Sequence, residues 1–239
     1  MQRLLTAALA DPWGALGTVL DGPLHPGGSE ATADLLDRAG VGAGTRLLDV
    51  GCGAGEAVSL ARDRGAHALG LDPDLDPGDG VRGAVRGEAT RLPVRAGALD
   101  VVLAECVLCL SDDLGRALRE AHRSLAVDGR LALSDVVLEG DPPDLPAALA
   151  EPLCLTGDRR REHLLGSVED AGFDVDEVRP HREDLLAMRD RVRERVDYER
   201  LLGAMGERGR RMLEGVDELE RAIEDGRVGY LSLVATRTG

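Results

Sequence analysis

Two sets of residues in this chain have the types and spacing to do chemistry. The first is Asp49-Val50-Gly51-Cys52-Gly53-Ala54-Gly55-Glu56. Three glycines at alternate positions let the backbone turn sharply and let a ligand lie against it with no Cβ in the way. A helix starting just after such a turn points free N–H groups at the ligand. Asp49, at the end of the preceding apolar run, repels a pyrophosphate but suits an ammonium or sulfonium. The dinucleotide fingerprint needs a small residue where Glu56 stands, so NAD or FAD is not expected. A second acid, Asp72, ends the next apolar run, where a carboxylate can accept hydrogen bonds from both hydroxyls of a ribose. The second set is the cysteines: Cys106 and Cys109 just past a third apolar run, Cys154 further on, and Cys52 inside the glycine turn. Thiolates from separate loops converging on one atom suit a soft centre. The Cys106–Cys109 pair lacks the second pair that structural zinc requires, so no metal site is expected. A thiol is also often a small buried hydrophobe, the reading favoured for Cys52.

The stretch D-V-G-C-G-A-G resembles the first motif of class I S-adenosylmethionine (SAM) methyltransferases. The resemblance implies SAM as cofactor, with Gly51, Cys52, Gly53 and Gly55 against it and Asp49 beside them. It implies Asp72 and Pro73 at the ribose, Glu88 and Ala89 at the adenine, and Glu105 in the loop nearest the thioether-bearing end. Residues 105–111 (E-C-V-L-C-L-S), 134–136 (S-D-V) and 152–157 (P-L-C-L-T-G) look like arsenite methyltransferases and their bacterial relatives. In that family one metalloid-binding Cys follows the fourth strand and a second follows the fifth; Cys106 and Cys154 match them, with Cys109 as a third thiol. Arsenic held by thiolates keeps a lone pair that can attack the methyl group in line, and no base is required. Glu105 stands where that group commonly has Asn, and Thr156 replaces the first Gly of a Gly-Gly pair. Two other readings stay open. One is methylation of O, N or C in a small organic metabolite, with Glu105, His25 or residues of a later helical insert as the only candidate bases. The other is a SAM-binding interaction domain that does no catalysis.

The elements that must position these residues follow from periodicity. Apolar runs predict strands over 45–50, 66–71, 81–86, 99–104, 129–137, 173–178 and 228–236. Helical spacing predicts helices over 2–10, from a Ser29 N-cap to 39, and over 57–64, 112–125 and 159–171, the last closed by Gly172. Alternation of strand and helix implies an α/β, doubly wound, mostly parallel seven-stranded sheet of the Rossmann-like class I methyltransferase kind, with right-handed crossovers. Residues 73–80 hold too many Pro and Gly for the usual crossover helix. A loop is expected there, leaving one sheet face thinly covered for another segment or a second subunit, as in a homodimer. Residues 181–227 form a highly charged insert before the last strand, predicted as helices over 183–200 and 207–224 separated by Gly203, Gly206 and Gly209. His122, among charges at helical spacing, is expected at the surface. The whole, 1–239, reads as a single domain with an N-terminal helix and loop over 1–28.

Composition bounds the partners. The 29 basic residues are all Arg and 44 are acidic, a net charge of −15, which disfavours nucleic acid and anionic membranes. A small-molecule or metalloid substrate is expected. The start lacks a secretory pattern, no apolar stretch is long enough to span a bilayer, and four sparse cysteines suit a reducing compartment, so a cytoplasmic location is expected.

Overall fold

The computed structural model describes residues 24–75, 83–155, 159–203 and 205–239. The expected helix over 2–10 and the loop holding Trp13 lie outside them. The chain divides into two compact units, one of Ser29–Asp135, Glu162–Pro180 and Leu231–Gly239, the other of Met1–Gly28, Val136–Arg161 and His181–Tyr230.

The seven strands are β1 (Arg46–Val50), β2 (His67–Asp72), β3 (Ala84–Arg86), β4 (Leu99–Glu105), β5 (Leu125–Leu138), β6 (Phe173–Pro180) and β7 (Val228–Arg237). They form one sheet in the order β3-β2-β1-β4-β5-β7-β6. The pairs β1–β2, β1–β4, β2–β3 and β4–β5 are parallel, and β6 lies antiparallel to β7. The chain leaves β1 toward β2 and β3, then returns to place β4 on the other side of β1. That reversal is a topological switch point, where open α/β sheets bind ligands at the carboxyl ends of their strands. The central strands need no alternation of polar and apolar residues because both faces are covered: Leu47, Leu48, Val50, Val101, Val102, Leu103 and Ala104 are all buried.

The helices are α1 (Gly28–Arg38), α2 (Glu56–Asp63), α3 (Leu114–Ser124), α4 (Ala147–Ala150), α5 (Arg161–Asp170), α6 (Arg182–Arg195), α7 (Tyr198–Gly203) and α8 (Gly206–Glu224). One core cluster joins Leu35, Leu36 and Ala39 of α1 to Val58 and Ala61 of α2 and to Leu47, Val101 and Leu103 of the sheet. Truncating Leu36, fully buried in it, would cost about 2–5 kcal/mol. The expected thin cover near residues 73–80 has a counterpart: Leu69 and Val85, on β2 and β3, remain 45% and 46% exposed. The expected loop and strand start fall partly outside the described residues, since 76–82 are not among them.

Four expectations are corrected. Ser29 is not an N-cap: α1 already starts at Gly28, and the Ser29 hydroxyl donates to the Glu56 carboxylate. The helix expected over 183–200 is two helices. Val196 leaves helical geometry (φ −116°, ψ 110°), and Asp197 Oδ1 accepts the Arg200 N–H at 2.9 Å, which starts α7. Gly209 does not separate the insert helices but sits within α8, where a Cβ would lie 1.9 Å from the Leu202 carbonyl oxygen. His122 is half-buried, edge-on to Phe173 with ring centres 5.3 Å apart.

Candidate cofactor and acceptor site

At the carboxyl end of β1 the backbone turns through Gly51 (φ +79°), Gly53 (φ +45°) and Gly55 (φ +80°), and Gly55 starts α2. The Leu71 carbonyl of β2 accepts both the Gly51 N–H at 2.7 Å and the Cys52 N–H at 3.1 Å, which ties the turn to its neighbour strand. A side chain is excluded at Gly51, because a Cβ would lie 2.2 Å from Val107 Cγ2. At Gly53 a Cβ would meet nothing within 4 Å, so that side of the turn faces open space. Cys52 turns inward and joins the core; a Cβ on Gly70 would lie 2.5 Å from its sulfur. Burial, then the nearby charges of Asp49 and Asp72, push its thiol up to about 12, which makes Cys52 a packing residue and a poor nucleophile.

Three acids stand at the strand ends. Asp72, closing β2, accepts the Gly53 N–H at 3.0 Å on one oxygen and the Asp74 N–H at 2.9 Å on the other. Glu105, closing β4, accepts the Thr32 hydroxyl, at 3.0 and 3.3 Å to its two oxygens. Asp49, on β1, is only 4% exposed. Burial first, then Glu105 and Asp72, hold its carboxyl well above the usual carboxylate range. This set suits a ligand that brings a cation and hydroxyl donors, and it would reject a pyrophosphate. The arrangement fits SAM.

Beyond β3, Glu88 is exposed and its carbonyl accepts the Arg91 N–H at 3.0 Å, closing a turn that contains Ala89. Pro73 follows Asp72 in the turn that ends β2. Beyond β4, Cys106 is a half-buried thiol outside any disulfide, held at φ +53°, with its N–H donated to the Ser134 carbonyl at 2.8 Å. Val107 leads into a 3₁₀ turn, Leu108–Leu110, in which Cys109 is buried. In the other unit Cys154 is buried, also with positive φ (+57°), and donates its N–H to the Glu151 carbonyl at 3.1 Å. Cys154 and Cys109 are each disulfide-bonded, which corrects the expectation of a thiol at either position. His25 is buried, with Nδ1 3.1 Å from the Pro26 carbonyl oxygen.

Sequence reasoning missed Thr32. Its signal was a hydroxyl at the i position of an i, i+3, i+4, i+7 apolar face with Leu35, Leu36 and Ala39. It is 2% exposed and reaches a carboxylate 73 residues away.

A strand, a glycine turn and a helix, with acids at three strand ends around a switch point, define a class I, Rossmann-like nucleoside-binding fold. Residues 48–133 match the family described as "Methyltransferase domain". The chain is 32% identical over 234 residues to the methyltransferase GfsG of Streptomyces halstedii, covering 89% of this chain and 81% of the relative. It is 30% identical over 156 residues to an arsenite methyltransferase of Halobacterium salinarum, covering 59% of this chain and 40% of the relative. Its fold matches the phosphoethanolamine N-methyltransferase 2 of Haemonchus contortus, solved with SAM, at TM-score 0.70 and 19% identity, over 92% of this chain and 55% of that one. The chain belongs to the SAM-dependent methyltransferases. It is an enzyme that moves a methyl group from SAM to a small substrate.

Proposed function

We propose that the acceptor is soft: a trivalent metalloid such as arsenite, held by thiolate sulfur at Cys106, with Cys154 and Cys109, which are disulfide-bonded in this structure, available as further ligands only in the reduced protein. The single observation that carries this reading is the backbone of Cys106. A non-glycine residue with positive φ is uncommon and strained, and such strain concentrates at functional sites. Among the described residues only Cys106, Asp128 and Cys154 adopt it outside glycine, and two of the three are the residues matched to the metalloid ligands. The Halobacterium relative, named for arsenite, gives the same direction over the part it covers.

In this reading SAM supplies an electrophilic methyl group. Gly51, Cys52, Gly53 and Gly55 form the floor under it. Asp72, with Pro73 beside it, holds the ribose hydroxyls, and Glu88 with Ala89 receives the adenine. Asp49 and Glu105 face its cationic end. Cys106 holds the acceptor so that its lone pair points at the methyl carbon. A carbon–arsenic bond forms as the carbon–sulfur bond breaks, and the electrons of that bond stay on sulfur as a neutral thioether. No proton leaves the acceptor, so no side chain must serve as base.

The test is turnover of arsenite with SAM by the reduced protein, read as methylated arsenic and S-adenosylhomocysteine by mass spectrometry. Cys106→Ser and Cys154→Ser should each lower turnover at least 100-fold while SAM affinity stays within about twofold. Unchanged turnover in the double variant would overturn the metalloid reading. Full activity of that variant on an organic hydroxyl or amine would establish the small-metabolite alternative instead.

A further inference from the structure

The three strand-end acids are not equivalent. Asp72 has both oxygens met by N–H groups, and Glu105 has both within reach of a hydroxyl. Asp49 lies between their strands, since β1 pairs with β2 on one side and β4 on the other. It is only 4% exposed. The charged groups that act on it are Glu105 from β4 and Asp72 from β2, both negative. From the turn itself comes only the neutral Cys52 thiol, and Glu56 at the start of α2 is engaged by Ser29. A buried carboxylate between two negative neighbours is unfavourable; the same carboxyl carrying a proton is not.

We propose that Asp49 exchanges a proton on cofactor binding: it is protonated in the ligand-free chain and releases that proton to solvent when the cationic end of SAM settles beside it. The inference rests on the reading of the glycine turn as the SAM site. The incoming cation replaces the missing positive partner, and the ionised Asp49 then attracts it. Binding and deprotonation are therefore linked, and affinity for SAM rises with pH until Asp49 is already ionised in the free chain. Two cations could drive the release: the sulfonium, present in SAM alone, or the ammonium, present in SAM and S-adenosylhomocysteine.

Calorimetric titration of the full chain with SAM near pH 7, in buffers of different ionisation heat, counts the protons. The wild type should release up to one proton per SAM bound and weaken by up to about tenfold for each pH unit below neutrality. Asp49→Asn, which keeps the shape and cannot ionise, should release none and bind with a flat pH profile. Release with SAM only assigns the sulfonium as the driver, and release with S-adenosylhomocysteine as well assigns the ammonium; either supports the linkage. SAM binding with no proton released by the wild type overturns it, whether or not the variant folds. Absence of any SAM binding would overturn the cofactor site itself, which is a separate result. A second readout needs no ligand. An acid whose folded pKa is raised stabilises fully below its unfolded pKa, and that stability is lost as pH rises toward the folded value. The wild-type melting temperature should therefore fall, relative to Asp49→Asn, from about pH 4 upward. Parallel curves would overturn the proposal.

Discussion

The acids at the strand ends and the acids of the helical insert are handled in opposite ways. In the insert, arginines meet carboxylates: Arg189 pairs with Asp190 and Glu224 at 2.7 Å each, Arg193 with Glu220 at 3.3 Å, Arg227 with Glu218 at 3.0 Å, and Arg210 with Glu214 at 2.7 Å. At the strand ends, Asp72 is met by amide N–H groups and Asp49 is buried with only the negative Glu105 and Asp72 acting on it. A carboxylate with an arginine beside it has its field cancelled and serves the fold or solubility. One without is left for an incoming cation to pair with. High charge in a sequence therefore carries less functional information than where the opposite charge is withheld.

The contrast can be broken or sharpened by experiment. The largest effect concerns Cys52, buried within reach of the charges of Asp49 and Asp72. With its thiol pushed up from 9.0 to about 12, it should react with iodoacetamide near pH 8 about a thousandfold more slowly than an ordinary thiol, by peptide mass spectrometry. Ordinary reactivity would mean that the burial that chiefly raises the thiol, with the acids beside it second, is not there. Next, Asp72→Asn should weaken SAM binding about 100-fold, the value of two charge-assisted hydrogen bonds to a ribose, by calorimetry. Gly51→Ala combines a clash against Val107 with a positive φ and should destabilise the chain by about 3 kcal/mol in urea unfolding. Thr32→Val removes the hydroxyl that orients Glu105 and should weaken SAM binding about fivefold, or about 1 kcal/mol. On the insert side, Arg193→Ala, whose side chain is 55% exposed, should change stability by less than about 0.5 kcal/mol. A large loss there would erase the distinction between the two regions.

Much of this was legible in the sequence for a physical reason. The central strands are apolar runs, and the D-V-G-C-G-A-G turn is local, so both are written in neighbouring letters. The glycine turn, Asp72 and the strand-end position of Glu105 fall where the motif spacing places them. What the sequence concealed is contact at a distance. Ser29 has the residue type of an N-cap, but a tertiary partner, Glu56, takes its hydroxyl instead. The break at Val196 and Asp197 was hidden because the charged spacing on either side is equally helical, and only the Asp197 side chain ends the run. His122 looked solvated by its neighbours in sequence, whereas Phe173, 51 positions later, covers it. Cys106 and Cys154 were visible as residues, but the left-handed backbone that singles them out was not.

One consequence follows from the 2.2 Å that separates a would-be Cβ on Gly51 from the Val107 methyl. The glycine turn after β1 and the loop after β4 that carries Cys106 are meshed like adjoining gears. A lineage drifting toward a new substrate by enlarging position 107 would jam against the glycine turn, and one acquiring any side chain at 51 would shove Cys106 aside. Epistasis between these two sites, visible in a pairwise library as single changes that fail and joint changes that survive, is the evolutionary signature this packing leaves.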